Sequence, residues 1–284
     1  GYATAYVGKW HLATDHAAGI NYETSAIPQE RRGGYRDYWM AADVLEFTSH
    51  GYNGYVYNAD NERVPFMGYR ADCINNFAID FLHGRKEQVE PFFLFISQIE
   101  PHHQNDRRRY EGPDGSRAQF ADFQPPGDLA ACSRACAQGT DVSNWRENYP
   151  DYLGCCHSLD YNVGRLVDTL KEQGMWENTI LVYTADHGSH FLTRGREAGY
   201  KRTCHDASIH IPLIITGPGF KGGNVVENVV SLLDVPATLL ACAGIERPEG
   251  FRGRDLRVLT DEQTPDWDET AFLQISESRV GHAI

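Results

Sequence analysis

The stretch Thr179-Ile-Leu-Val-Tyr-Thr-Ala-Asp-His-Gly188 decides how this chain is read. Thr179, Ile180, Val182, Tyr183 and Thr184 favour β structure and no polar residue alternates among them. That is the pattern of a strand buried on both faces of a parallel sheet. The run stops at Asp186-His187-Gly188, where a carboxylate and an imidazole stand side by side and a glycine lets the chain turn. In open α/β sheets, ligands bind beyond the carboxyl ends of the strands. Asp-His-Gly after a strand is also an ordinary turn, so its weight comes from other strand-like runs that end in polar clusters.

One such run is Ala3-Thr-Ala-Tyr-Val-Gly8, followed at once by Lys9-Trp10-His11. Residues two apart on a strand share a face, so Lys9 and His11 can present two cationic groups to one side. The plainer alternative is a solvated lysine and a packed histidine. Another is Phe92-Phe-Leu-Phe-Ile-Ser97, whose end carries Glu100-Pro101-His102-His103. A further apolar strand, Ile211 to Thr216, closes at Gly217-Pro218-Gly219. Between these runs, Cys73, Ile74, Phe77, Ala78 and Phe81 predict a helix over 69–83, and Tyr152 to Leu170 predicts a second, ended by Gly174. Asp234-Val-Pro236 opens a third, which continues to Ala243. Asn53-Gly54 reads as the turn of a hairpin, and Ala271 to Ile275 as a late strand. The polar segment 104–146 reads as a lid or substrate-facing insertion with a little helix, in which Arg107, Arg108 and Arg109 form a solvated face. The expected fold class is α/β, with a mostly parallel central sheet flanked by helices on both faces.

Composition narrows the function. The 26 basic and 39 acidic residues leave a net charge of -13, which argues against a nucleic-acid partner because phosphate binding needs a basic surface. No run of about eighteen apolar residues occurs, so no transmembrane segment is expected in this chain. Seven cysteines leave at least one thiol unpaired. Cys132 and Cys136 are spaced to pair or to share a helical face, whereas Cys155 and Cys156 need partners elsewhere. The chain opens at Gly1-Tyr2 on a strand pattern, which reads as the start of a fragment.

Taken in order, the motifs resemble the type I, formylglycine-dependent sulfatases of the alkaline-phosphatase-like superfamily. They are Gly1-Tyr2-x-Thr4 with Gly8-Lys9-Trp10-His11, Glu100-Pro101-His102, Leu159-Asp160 with Val163-Gly164-Arg165-Leu166, Thr184-Ala185-Asp186-His187-Gly188, Tyr200-Lys201, and Ile211-Pro212-Leu213-Ile214 with Gly217-Pro218-Gly219. The resemblance implies that Asp186 and His187 help hold a divalent metal, calcium first and magnesium second, although imidazole is a less natural calcium ligand than a carboxylate. It implies that Lys9 and Lys201 grip the sulfate, that His11 beside the nucleophile is a general base, and that His102 near the leaving oxygen is an acid. His103 is an alternative for that last role, while His205, four residues after Lys201, is read as structural before it is read as lining the pocket. A sulfated small molecule or glycan is the implied substrate, and a secreted, periplasmic or lysosomal setting the implied location.

The nucleophile motif of that family, Cys/Ser-x-Pro-x-Arg, does not occur in the chain, and Ser25-Ala-Ile-Pro28-Gln-Glu-Arg31 has the wrong spacing. An early acidic pair that completes the metal site is missing as well. Both precede Gly-Lys-Trp-His in the family, so the expectation is a chain truncated at its N-terminus and inactive as given. Residues 1–260 are expected to be a partial catalytic domain and 261–284 the start of a small C-terminal subdomain. Competing readings are a phosphoester or phosphonate hydrolase on the same scaffold and a sulfated-glycan binder without catalysis. A zinc hydrolase finds no HExxH spacing to support it.

Overall fold

The computed structural model describes residues 1–131, 145–191, 193, 200–220, 222–260, 266–275 and 281–283. The chain divides into two compact units, Gly1–Gly174 and Met175–Ile284.

In the first unit, a sheet is built from β1 (Ala3–Lys9), β2 (Tyr38–Ala42), β3 (Tyr52–Tyr57), β4 (Arg63–Tyr69) and β5 (Phe92–Ser97), in the order β4-β3-β2-β1-β5. β1 runs parallel to both β2 and β5, while β3 is antiparallel to β2 and β4, so the sheet is mixed. Side-chain alternation sends Val7 of β1 to a face where it is buried with Ala42, Ile74 and Ala78 and flanked by Leu94 and Ile96. Helix α2 (Arg70–Gly84) supplies that layer. The opposite face is aromatic. Tyr6 stacks on Phe95 at 5.3 Å and on Trp39 at 5.4 Å, and meets the edge of Trp10 at 4.9 Å. Each large apolar side chain removed from water in this way contributes roughly 1.5–3 kcal/mol. Both faces of β1 are thus buried, which is why its sequence is a nearly continuous apolar run.

The carboxyl ends of β1 and β5 approach closely. Gly8 has φ +106°, and a Cβ there would lie 2.0 Å from the Ser97 carbonyl oxygen, so no other residue fits without moving the strands. Beyond those ends, Arg70 at the start of α2 turns its guanidinium inward. Its Nε donates to Glu100 Oε1 at 2.8 Å, and its Nη1 reaches Gln104 Oε1 at 3.2 Å and Ser49 Oγ at 3.3 Å. Gln104 in turn donates through Nε2 to the Glu46 carbonyl at 2.8 Å, which fixes the short helix α1 (Leu45–Thr48).

The Asn53-Gly54 pair is not the hairpin turn expected from sequence. It lies inside β3, where Asn53 has φ 61° and the register shifts as a bulge, and the turn falls between Asn58 and Glu62. An Asn-Gly pair supplies left-handed backbone for either device, and only the strand partner decides which is used. In segment 104–146, α3 (Ser116–Gln119) packs on α5 (Trp145–Glu172), with α4 (Gly127–Ala131) between them in sequence. The remainder of the expected lid, with Cys132 and Cys136, lies outside the described residues. α5 begins earlier than the periodicity suggested and runs through Pro150. It is tied to α2 by Asn162 Nδ2 to Asp72 Oδ1 at 2.7 Å.

In the second unit, β6 (Leu181–Thr184) pairs with β7 (Leu213–Thr216), and the pairing is antiparallel. Among the described residues, the anchoring strand thus has no parallel neighbour of the kind its apolar run suggested. Its side chains are half-buried, not buried on both faces as the apolar run suggested, and strand direction depends on a partner distant in sequence. α6 (Asp206–Ile209) precedes β7, and α7 (Asp234–Cys242) starts at the expected aspartate. β8 (Leu273–Ile275) lies within the expected late strand and pairs with β9 (Gly281–Ala283). No helix among the described residues is long and apolar enough to cross a membrane. Cys73, Cys155, Cys156, Cys204 and Cys242 are free thiols.

Replacing Arg70 by Met leaves the Glu100 carboxylate buried without its cation, and should destabilise the first unit by about 3–5 kcal/mol. The double replacement Arg70→Met/Glu100→Leu should recover much of that loss. Urea unfolding followed by tryptophan fluorescence checks both, and equal stability of the single variant and the parent would refute the assignment.

Candidate active site

Lys9 is the last residue of β1, and its Nζ donates to Glu46 Oε1 at 3.0 Å. The Glu46 side chain is only 3% exposed. Asn105 Nδ2 reaches the same oxygen at 3.5 Å. Burial alone pushes the Glu46 carboxyl up, but the charge and hydrogen bond of Lys9, with His102 beyond, outweigh it and leave the group below the usual range. Sequence reasoning passed over Glu46. Its signal was an acid inside the apolar run Val44-Leu45-Glu46-Phe47.

β1 ends before His11, so the strand alternation that paired it with Lys9 does not extend that far. His11 instead occupies a left-handed bend at φ 55° and is exposed. Its amide donates to the Asp43 carbonyl at 2.8 Å, and the buried Asp43 carboxylate accepts from the amides of Ala13 at 3.0 Å and Thr14 at 2.9 Å. Asp43 thereby holds the bend. It lies just past the end of β2, where the strand-tip rule applied to that strand would have found it.

His102 and His103 stack at 4.8 Å. His102 Nδ1 lies 2.6 Å from the His103 carbonyl oxygen, so Nδ1 carries the proton and Nε2 is left as the lone-pair nitrogen. His103 is buried and meets Tyr110 edge-on at 5.9 Å. The arginine run behaves as expected of a surface. Arg107 and Arg109 are exposed and close on Glu111 at 2.8 and 3.0 Å, and Glu111 also accepts from the Gly51 amide.

In the second unit, Asp186 Oδ1 accepts from the His187 amide at 2.9 Å, and Oδ2 lies 3.4 Å from His187 Nε2. The His187 ring gives Nδ1–H to the Gly188 carbonyl at 2.8 Å, which leaves Nε2 as the acceptor, and Lys201 Nζ stands 2.9 Å from it. Gly188 is required here because a Cβ would lie 2.2 Å from the Ala207 carbonyl oxygen. The structure thus groups Asp186, His187 and Lys201, while His205 is exposed and caps α6 through its backbone.

The sulfatase family model matches residues 1–245. The chain belongs to the sulfatase family. An ulvan-active sulfatase of Formosa agariphila is 30% identical over 278 residues, covering 96% of this chain and 50% of its own length. This sulfatase chain thus spans about half the length of curated relatives that it matches. A solved protein in complex with its substrate D-glucosamine-2-N,6-O-disulfate shares the fold, with TM-score 0.74 and 24% identity over 98% of this chain and 66% of that one. A phosphonate monoester hydrolase of Silicibacter pomeroyi matches at TM-score 0.54 and 25% identity, over 77% of this chain and 48% of its own.

The family uses a metal and formylglycine. One carboxylate oxygen and one imidazole lone pair 3.4 Å apart fit two adjacent positions on a single cation. Among the described residues, no group of three or more such donors occurs.

His102 is held neutral. Burial, then the neighbouring His103 and the Lys9 charge, push its pKa down to about 4, against the opposing pull of the His103 carbonyl and Glu46. Because an unfolded histidine titrates near 6.5, the unfolded chain binds more protons than the folded one between about pH 6.5 and 4. This group should therefore lower stability as pH falls through that window and leave it unchanged above. Urea midpoints from pH 7 to 4 should drop more steeply for the parent than for His102→Gln, and parallel slopes would show a solvated ring.

Proposed function

We propose that the full-length protein is a sulfuric ester hydrolase acting on a sulfated carbohydrate. Membership of the sulfatase family carries this reading. The disulfated glucosamine bound by a protein of the same fold supports the substrate class. A sulfuryl group in transfer concentrates negative charge on its oxygens, so the site needs fixed cations aimed at them. Lys9 and Lys201 take that role, each an ammonium already held by a neighbour in its own unit. Asp186 and His187 hold the divalent cation, with calcium favoured over magnesium by family habit. That cation, when bound, polarises the ester oxygens. Formylglycine is contributed by a segment that residues 1–284 do not contain. Residues 1–260 form part of the catalytic domain, and 261–284 begin a smaller one.

His11 serves as the base beside the nucleophile, exposed on its left-handed bend. His102 has Nε2 as its lone-pair nitrogen, because Nδ1 is committed to the His103 carbonyl. An anionic ester beside Nε2 adds negative charge that favours the imidazolium. The ring then takes up a proton as the ester binds, and returns it to the leaving oxygen as the S–O bond breaks.

Turnover of 4-nitrophenyl sulfate should exceed that of 4-nitrophenyl phosphate in the full-length protein. Lys9→Met and Lys201→Met should each lower kcat/KM by about 100-fold, the scale for losing one fixed charge at an oxyanion. A strong preference for the phosphate overturns the reading in favour of a phosphohydrolase. Binding of sulfated glycan with no turnover of either ester would make the protein a binder.

A further inference from the structure

We propose that Glu46 is a positioning residue for sulfate recognition, holding the Lys9 ammonium at the end of β1. The proposal rests on Lys9 being a sulfate ligand. Three observations lead to it. The carboxylate is almost fully buried, and its Oε1 takes Lys9 Nζ at 3.0 Å. Its Oε2 has no hydrogen-bond partner among the described residues. A carboxylate kept inside a protein with one oxygen unsatisfied is a poor device for stability, since a neutral side chain of the same shape avoids the desolvation cost.

The position of Glu46 is itself determined. Its carbonyl accepts from Gln104 Nε2, and Gln104 is bonded through Oε1 to Arg70, so the α1 backbone cannot move independently of the β5 loop. Lys9 is long and flexible, and free in water its ammonium would sample many rotamers. The Lys9 side chain keeps 16% exposure, so the ammonium is held without being sealed off. A fixed Oε1 restricts it to one place, from which an arriving tetrahedral anion can share it.

Glu46→Gln keeps the size and an acceptor oxygen but removes the charge. In the full-length protein, reductive methylation at Lys9, read by peptide mass spectrometry against the exposed Lys86, should become several-fold faster in this variant. KM for 4-nitrophenyl sulfate should rise about tenfold with a smaller change in kcat, the signature of a lost ground-state contact. Should Glu46→Gln fail to fold, Glu46→Asp, which withdraws the charge by one methylene, should move both readouts the same way. Unchanged Lys9 labelling overturns the proposal, and so does faster labelling with KM unaltered. The labelling needs no turnover, so it is separable from the sulfatase reading, which fails if Lys9→Met itself leaves sulfate turnover intact.

Discussion

The buried ion pair between Arg70 and Glu100 is the constraint on which the first unit's candidate site depends. Both side chains are essentially inaccessible, at 2% and 0% exposure. Removing two charges from water is costly, and the pair is tolerable because Ser49 and Gln104 add hydrogen bonds to the guanidinium. What it secures is placement. Arg70 starts α2, Glu100 leads the loop carrying His102, and Gln104 reaches back to Glu46, so three segments distant in sequence are fixed by one set of polar contacts.

The sheet determines where those segments emerge. β1 is apolar on both faces, with Val7 toward α2 and Tyr6 toward the aromatic layer, and its parallel neighbours send their carboxyl ends the same way. Lys9, Asp43 and the Glu100 loop consequently leave the sheet at one end. The glycine at position 8 lets β1 and β5 approach there more closely than any side chain would permit.

Both candidate sulfate-binding lysines are engaged, Lys9 by the Glu46 carboxylate and Lys201 by His187 Nε2. The two partners differ in consequence. Glu46 keeps its lysine in place by charge as well as by a hydrogen bond, whereas His187 meets Lys201 through one ring nitrogen whose other nitrogen is bonded to the Gly188 carbonyl.

The apolar runs of β1, β5 and β6, the 3.6-residue periodicity of α2 and α5, and the Asp186-His187-Gly188 turn were legible in the chain because each is a local pattern. The same holds for the grouping of Asp186 with His187, which adjacency alone ensures. Direction of pairing was not legible. β6 has an antiparallel partner, and Asn53-Gly54 serves as a bulge, because both outcomes depend on residues far away in sequence. Glu46 and Asp43 each left a local trace, an acid in an apolar run and an acid past a strand end, but their roles were not legible for the same reason: such an acid acquires meaning only when folding brings a distant ammonium or loop amide within hydrogen-bond reach. Sequence by itself determined which side chains are candidates for the chemistry, since motif and spacing are local, while tertiary structure decided their hydrogen-bond partners and burial, because those depend on residues distant in the chain.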